Sequence, residues 1–159
     1  MRIIIAAIGR LKAGPERELF DRFVERATAA GRRLGLSLVI REFPESRAAT
    51  AALRQDQEAA ALLQAFPARA VLVALDEKGR ALTSAGFAER LAKWRDSGVE
   101  DLVFALGGAD GHGAALAGRA GLTLAFGTMT WPHQLARVML AEQIYRAVTI
   151  LANHPYHRD

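Results

Sequence analysis

Short apolar runs alternate along this chain with segments in which apolar positions recur every three or four residues. The apolar runs predict β-strands, and they lie at residues 3–8, 36–43, 70–75, 102–106 and 122–126. The segments with helical spacing lie at residues 16–34, 50–66, 84–97, 114–120 and 132–151. Strict alternation of this kind predicts an α/β fold in which a mainly parallel sheet is flanked by helices on both faces.

The predicted strands differ in how far they should be covered. The first run, IIIAAI, is continuously apolar, which is typical of a strand buried on both faces. Ser37 and Arg41 interrupt the second run and indicate a less covered position. The third strand is expected to end at Leu75, and residues 76–80 are expected to form a charged turn.

The helix predicted over residues 132–151 is apolar in most directions. Its polar residues fall on two stripes, with Glu142 and Arg146 on one and His133 and Arg137 nearly opposite. A helix of this kind needs neighbours on most sides. One way for a short chain to supply them is to pack the helix against a second copy of itself, so we expect a homodimer.

Composition indicates a globular protein with an anionic partner. At 159 residues, 51% hydrophobic and 24% charged, the chain is expected to form a single domain over residues 1–159. No apolar run approaches the roughly 20 residues of a membrane helix, and the first run has no signal-peptide cleavage site. We therefore expect a cytoplasmic protein with no membrane partner. The net charge of +4 and the pI near 10.1 favour binding to an anion.

Three of the predicted strands end in segments that suit a ligand. These segments are Leu75, the pair Gly107 and Gly108, and residues 127–131. Because the carboxyl ends of parallel strands share one edge of a sheet, the three segments are expected to converge on one cleft. Glycines permit close backbone approach there. Residues 107–113 are equally compatible with a flexible connection.

Motifs of several enzyme classes are missing from the sequence. Neither the dinucleotide pattern GxGxxG nor the phosphate-loop pattern GxxxxGK[ST] occurs, and there is no GxSxG elbow of a serine hydrolase. The chain has no cysteine and no HExxH run, and the pair His133 and Arg137 has no carboxylate or imidazole companions in the pattern. We therefore expect no metal site.

The last residues of the chain are rich in rings and charge. His154, Tyr156, His157 and Arg158 place two imidazoles, a phenol and a guanidinium within five residues. Such a segment can stack on a nucleic-acid base and hold a phosphate. The alternative is a tail that packs on its own domain with its polar groups hydrogen-bonded, and the residues alone leave both interpretations open.

Four motifs together identify a family. They are GRLK at residues 9–12, LGGADG at 106–111, MTWPHQLARVMLAEQIYRA at 129–147 and PYHR at 155–158. With them the chain resembles, over its whole length, the bacterial ribosomal large-subunit RNA methyltransferase H family of the SPOUT superfamily of knotted methyltransferases. The last two motifs are the most specific.

The resemblance implies a fold detail, a cofactor and a substrate. It implies a trefoil knot in the C-terminal part of the chain and S-adenosylmethionine as methyl donor. It also implies a homodimer in which the tail of one subunit completes the site of the other. The substrate it implies is N3 of a pseudouridine in helix 69 of 23S rRNA, within the large subunit or the 70S ribosome.

The resemblance also assigns residues. The cofactor-binding positions that it implies are Leu75, Gly107, Gly108, Gly127, Thr128, Met129, Thr130, Trp131 and Pro132. The family often has a serine near position 127, so backbone contacts are expected there in this chain. The catalytic positions that it implies are Arg146, Tyr156, His157 and Arg158.

Among the catalytic positions, the arginines would contact phosphate or carbonyl oxygens and Tyr156 would stack on the base. His157 would act as a base or orient the nucleotide. Two alternatives stay open at this point. One is a non-catalytic knotted α/β module that binds RNA, and the other is a methyltransferase that acts on a different RNA or on a protein.

Overall fold

The computed structural model describes residues 1–156, and the elements alternate as the hydrophobic pattern predicts. In chain order they are β1 (Arg2–Ile8), α1 (Pro15–Gly31), a 3₁₀ turn (Arg32–Leu34), β2 (Ser37–Phe43), α2 (Ala51–Gln64), β3 (Val71–Ala81), α3 (Ser84–Asp96), β4 (Asp101–Leu106), α4 (Ala114–Arg119), β5 (Leu122–Ala125) and α5 (His133–Leu151). Within this part of the chain the five strands form one parallel sheet in the order β2-β1-β4-β3-β5. The predicted fold class is confirmed.

The sheet is covered on both faces because side chains alternate along its strands. Ile3 and Ile5 of β1 pack into one core, which α1, α3 and α5 cover. Ile4 and Ile8 of the same strand pack into a second core on the other face, which α2 and α4 cover. The continuous apolar run of β1 therefore serves two cores. β2 lies at the edge of the sheet and is only partly covered, as Ser37 and Arg41 predict.

β3 is longer than the sequence pattern predicts. The expected charged turn over residues 76–80 is wrong, because the strand continues to Ala81 and pairs a second time with β5 after a break in register between Leu75 and Arg80. Gly79 makes this possible, since a Cβ atom there would lie 2.7 Å from the backbone carbon of Leu124. The charged residues 76–80 are therefore part of a strand, and this part of the strand depends on the close approach of the Leu124 backbone to Gly79.

α5 is largely buried within its own chain. It packs between α1 and α3 on the face of the sheet, and nine of its nineteen residues are buried. The helix has neighbours on most sides, as its apolar pattern predicts, and α1, α3 and the sheet of the same chain supply them. Among residues 1–156 we find no helix that combines the length and the apolar character needed to cross a membrane.

Candidate active site

A cleft of about 680 Å³ opens at the carboxyl ends of β4 and β5 and at residues 75–78 of β3, at and just beyond the last pair that β3 forms with β4. The three strands are neighbours in the sheet. The residues of the predicted cofactor set that line it are Leu75, Gly107, Gly108, Gly127, Met129, Thr130 and Trp131. Thr128 and Pro132 belong to the same β5–α5 loop, where Pro132 immediately precedes the first turn of α5, but they do not line the cleft. The three segments that the sequence singled out therefore meet in one place.

The β4–α4 loop, residues 107–113, forms one wall of the cleft and is bound to α2. Nε and Nη2 of Arg54 donate to the two carboxylate oxygens of Asp110, at 2.7 and 3.1 Å. Nε2 of Gln55 donates to the Asp110 carbonyl at 2.5 Å. These bonds fix the middle of the loop, which argues against the alternative of an unattached connection.

The two glycines of this wall make room for protein atoms. A Cβ on Gly108 would lie 2.7 Å from a carboxylate oxygen of Glu58, and a Cβ on Gly107 would lie 2.8 Å from the backbone of Gly111. Glu58 is buried and accepts the backbone N–H of Ser46 at 2.9 Å. The glycine pair therefore fits the packing of the loop on itself, at Gly107, and against α2, at Gly108.

The β5–α5 loop forms the opposite wall. Its second residue, Gly127, has φ +109°, a conformation that side-chain-bearing residues rarely adopt. Oγ1 of Thr130 donates to Glu77 of β3 at 2.7 Å, and Nε1 of Trp131 donates to the Phe126 carbonyl at 3.3 Å. Met129 is 72% exposed. The loop thus offers an apolar side chain at the mouth of the cleft and is held to β3 behind it.

Two histidines line the cleft that were not predicted as site residues. Nε2 of His112 lies 2.9 Å from the Leu75 carbonyl, and since a carbonyl only accepts, Nε2 carries the hydrogen. His133 is the first residue of α5. Burial lowers the pKa of both rings, and the Arg137 cation lowers the pKa of His133 further. In the sequence, one histidine lies within the glycine-rich segment after β4 and the other follows the segment after β5.

Arg137 is a buried cation, 2% exposed, behind the cleft. Its Nη2 donates to the carbonyls of Ile8 and Gly9 at 2.5 and 2.9 Å, and its Nη1 donates to Oε1 of Glu42 at 3.0 Å. The same Glu42 oxygen accepts the backbone N–H of Leu11 at 2.8 Å. Arg137 and Glu42 together hold the end of β1 and the GRLK motif that follows it.

The predicted catalytic residues Arg146 and Tyr156 meet at Glu142, which lies in the middle of α5. Oε1 of Glu142 accepts Nε of Arg146 at 2.9 Å and the hydroxyl of Tyr156 at 3.2 Å. The Tyr156 ring lies 4.5 Å from the Tyr145 ring, and the Arg146 guanidinium lies 5.0 Å from the Tyr156 centroid. Burial, followed by the Glu142 carboxylate, raises the pKa of Tyr156.

This C-terminal cluster, formed by Glu142, Tyr145, Arg146 and Tyr156, does not line the cleft of its own chain. Tyr156 therefore packs on its own α5, as the alternative interpretation of the tail has it. His157 and Arg158 lie outside the described residues.

A second cavity, of about 550 Å³, adjoins the cleft between α1, α3 and α5. Leu124, Ala125, Phe126 and Gly127 line both cavities, so the end of β5 separates them. Phe23, Phe87 and Val138 give the second cavity apolar walls, and Glu142 of the C-terminal cluster lies at its border.

Comparison with known proteins agrees with this architecture. The family model described as predicted SPOUT methyltransferase matches residues 1–157. A protein from Nitrobacter hamburgensis named ribosomal RNA large subunit methyltransferase H is 58% identical over 159 residues, 99% of each chain. Proteins of the same name from Bradyrhizobium diazoefficiens and Brucella anthropi are 56% and 53% identical, over 99% and 100% of each chain.

A more distant match is the solved structure of the SpoU methyltransferase AviRb from Streptomyces viridochromogenes in complex with AdoMet. It is 14% identical, with a TM-score of 0.42, over 96% of this chain and 61% of that one. The family match over residues 1–157 and the identities over the full length establish the family of this chain. The chain belongs to the SPOUT methyltransferases, and among them to the family of ribosomal RNA large subunit methyltransferases H.

Proposed function

We propose that this protein transfers a methyl group from S-adenosylmethionine to the RNA of the large ribosomal subunit, in the cytoplasm. The finer proposal is that the acceptor is N3 of a pseudouridine in helix 69 of 23S rRNA within the assembled ribosome. The observation that carries the proposal is the convergence of Leu75, the glycine pair of the β4–α4 loop and the β5–α5 loop on one cleft, in a chain of this family.

The residues of the cleft fit an adenosyl ligand. Its volume of about 680 Å³ lies within the range of small-molecule sites. Leu75, Leu106 and Leu124 offer apolar contacts for a purine ring, while the strand ends and the two loops offer backbone N–H and carbonyl groups. We assign the cofactor to Leu75, Gly107, Gly108 and residues 127–132, mainly through backbone groups.

Methyl transfer requires two things of the protein, which are alignment of the nucleobase with the methyl donor and removal of one proton from the nucleobase. The sulfonium centre of the cofactor supplies an activated methyl group. The protein therefore needs to place the nucleobase nitrogen in line with that group and to assist the loss of its proton. The protein also has to hold the nucleotide next to the cleft.

We assign the holding of the RNA to Arg146, Tyr156, His157 and Arg158. Arg146 and Tyr156 already share an orienting partner in Glu142, so a guanidinium and an aromatic ring are presented together. A guanidinium suits a phosphate or a carbonyl oxygen, and a phenol ring suits stacking on a base. His157 is proposed as the base or the orienting group.

A homodimer would bring these residues to a cleft. Leu19 of α1 and Leu135 of α5 are 36% and 38% exposed, and the second cavity has apolar walls on the same two helices. A second copy that covers this face would bury it and bring its own C-terminal cluster towards the neighbouring cleft. We propose this arrangement, together with the trefoil knot of the family, for this chain.

The deciding experiment incubates the purified protein with methyl-labelled S-adenosylmethionine and with 30S, 50S or 70S particles, followed by mass spectrometry of helix 69 fragments. Label at N3 of the pseudouridine in 70S particles supports the full proposal. Label elsewhere in large-subunit RNA supports only the coarser one.

Matched ribosomes that carry uridine at the target position separate a requirement for pseudouridine from recognition of the surrounding RNA. No calorimetric binding of S-adenosylmethionine, with RNA binding retained, would refute catalysis. That outcome would favour the alternative of a non-catalytic RNA-binding module.

A further inference from the structure

The GRLK motif that follows β1 is fixed to the rest of the protein through its backbone. The N–H of Gly9 donates to the Phe43 carbonyl at 2.7 Å, and the carbonyl of Gly9 accepts Nη2 of Arg137 at 2.9 Å. The N–H of Leu11 donates to Glu42 at 2.8 Å. The side chain of Leu11 is buried in the core that α1, α3 and α5 cover. The motif therefore has one defined position.

The motif presents two cations to solvent. Arg10 and Lys12 lie on either side of the buried Leu11, and both are exposed. Among the residues that the structure describes, neither side chain forms an ion pair. The two charges thus contribute no ion pair to the stability of the fold, and they are available to an anion from outside the chain.

The carboxylates around the motif do not neutralise both cations. Glu42 is paired with Arg137 at 3.0 Å. Glu16 and Glu18 occupy the first turn of α1, where the helix dipole favours a negative charge. Glu45 lies against the first residue of the motif. One carboxylate beside two cations leaves a net positive charge, which suits an anionic ligand.

The register of the sheet places the motif beside the cofactor cleft. β1 and β4 are paired, with Ala7 opposite Leu106. Gly9 and Gly108 each follow two residues after this pair, so the motif and the glycine wall of the cleft begin at neighbouring strand ends. The motif is thus at the same edge of the sheet as the cleft.

Arg137 connects the motif to the lining of the cleft. Its Nη2, which donates to the Gly9 carbonyl, lies 3.3 Å from Nδ1 of His133, and His133 lines the cleft. Two polar contacts therefore separate the motif from the cleft. Arg10 and Lys12 do not line the cleft itself, so they lie outside the space assigned to S-adenosylmethionine.

We propose that the GRLK motif is part of the RNA-binding surface of this protein, in which Arg10 and Lys12 contact phosphate groups of the nucleotides that flank the one methylated in the cleft. A nucleotide that enters the cleft brings the charged backbone on either side of it to the surrounding surface. Exposed arginine and lysine are the usual contacts for such phosphates, and a fixed backbone reduces the conformational freedom lost on binding. This inference rests on the proposed function, because it takes RNA as the substrate.

Binding to 70S particles over a range of salt concentrations tests the proposal. The loop variant, which combines Arg10→Gln with Lys12→Gln, removes both charges. Its Kd for 70S particles should rise by about tenfold or more, the scale of lost charged contacts. The slope of log K against log salt should become shallower by about 1 to 2, because two phosphate contacts are gone. Its calorimetric affinity for S-adenosylmethionine should not change.

The turn variant, which combines Arg32→Gln with Arg33→Gln, is the matched control. Both arginines are exposed and form no ion pair within the described part of the chain. They lie in the 3₁₀ turn before β2, at the opposite edge of the sheet from the cleft, because β2 begins there and runs parallel to β1. The turn variant loses the same charge and should keep the affinity for 70S particles and its salt dependence. Exchange of the two cations, Arg10→Lys with Lys12→Arg, should also keep most of the affinity.

The proposal is overturned by unchanged ribosome binding in the loop variant or by an equal loss of binding in the turn variant. A loss of affinity for S-adenosylmethionine in the loop variant also overturns it, because the two cations would then serve the carboxylate of the cofactor. The proposed function fails separately. An unmodified protein that binds 70S particles and S-adenosylmethionine but transfers no methyl group refutes catalysis, while the salt dependence of the two variants still decides the role of the motif.

Discussion

The hydroxyl of Tyr156 lies 3.2 Å from Oε1 of Glu142, the same oxygen that accepts Nε of Arg146 at 2.9 Å. One carboxylate oxygen thus orients the phenol of the tail and a guanidinium of α5. Gln143, which donates to the other Glu142 oxygen at 2.7 Å, holds the carboxylate from behind. Glu142 itself has no role in the proposed chemistry, but it orients Arg146 and Tyr156, which have one.

Glu142→Gln should therefore impair methyl transfer without impairing cofactor binding. The amide keeps the size of the side chain but loses the charge that attracts Arg146, so both partners gain freedom. We expect turnover on ribosomes to fall by about tenfold, the scale of a lost charged hydrogen bond, and calorimetric affinity for S-adenosylmethionine to stay within about twofold. Glu89→Gln, at an exposed position on α3, is the matched control. Unchanged turnover in Glu142→Gln would remove the cluster from the mechanism.

Deletion of residues 154–159 should abolish methyl transfer but leave the cleft intact, and a mixed dimer should recover activity. In the mixed dimer one subunit lacks residues 154–159 and the other carries Gly127→Val, which is strained at φ +109° and should disrupt the cofactor loop. If each tail serves the partner's cleft, the mixed dimer has one complete site and about half of normal activity.

If each tail serves its own cleft, the same mixed dimer has no complete site. Each variant alone, assayed at the same concentration, provides the baseline. A mixed dimer no more active than these baselines, in a preparation shown by mass spectrometry to contain it, contradicts the shared site.

Leu135→Asp should convert a dimer to a monomer. Leu135 is 38% exposed on α5 beside the second cavity, so a carboxylate there would be buried against a second copy and left without a partner. Leu53→Asp is the control, because Leu53 is 50% exposed on α2, which packs on the other face of the sheet. Sedimentation equilibrium at micromolar concentration measures the outcome. A monomeric unmodified protein, or a dimer in both variants, would contradict this interface.

The fold was largely predictable because its signals are local. Apolar runs such as residues 3–8 and residues 102–106 indicate covered strands wherever they pair, and alternation with helices predicts parallel pairing. β3 shows the limit. Its continuation through residues 76–81 depends on the backbone of Leu124 lying against Gly79, a contact with a segment more than forty residues away. No local pattern reports such an approach.

The site was predictable in part for the same reason. The carboxyl ends of paired parallel strands share an edge, so the meeting of Leu75, Gly107 and Gly127 followed from topology, even though β3 itself continues beyond Leu75. His133 and Arg137 were visible as a stripe on α5, but their role depends on the end of β1 more than a hundred residues earlier. The apolar character of α5 supports a dimer less strongly than the sequence suggested, because α1 and α3 bury most of this helix within one chain.

Gly108→Ala should lower stability rather than cofactor affinity. The added Cβ would meet a carboxylate oxygen of the buried Glu58 at 2.7 Å, so the cost is one of overpacking, about 1–3 kcal/mol. The same change in a Glu58→Ala background should cost much less, because the obstructing side chain is gone. Thermal unfolding of the four proteins gives this coupling. Additive losses, or a fall in cofactor affinity in both backgrounds, would instead place the methyl group in the ligand space.

His112 should make the protein less stable as the pH falls. Burial holds the pKa of its ring below the ordinary 6.5, although the Leu75 carbonyl and Asp76 act in the opposite direction. As the pH falls below 6.5, the His112 ring is protonated in the unfolded chain but stays neutral in the folded chain. The contribution of the neutral ring to the free energy of unfolding is therefore fully present above pH 6.5 and is lost as the pH falls towards the folded-state pKa.

His112→Gln retains an N–H donor for the Leu75 carbonyl but cannot be protonated. Its melting temperature should therefore fall less than that of the unmodified protein between pH 7.5 and about 5.5. Some dependence should remain, because the pKa of the buried His133 is lowered too. His154→Gln, which replaces an exposed histidine that does not line the cleft, is the control for the substitution itself. Identical pH profiles for His112→Gln and the unmodified protein would mean that the ring of His112 is not held neutral between β3 and the β4–α4 loop.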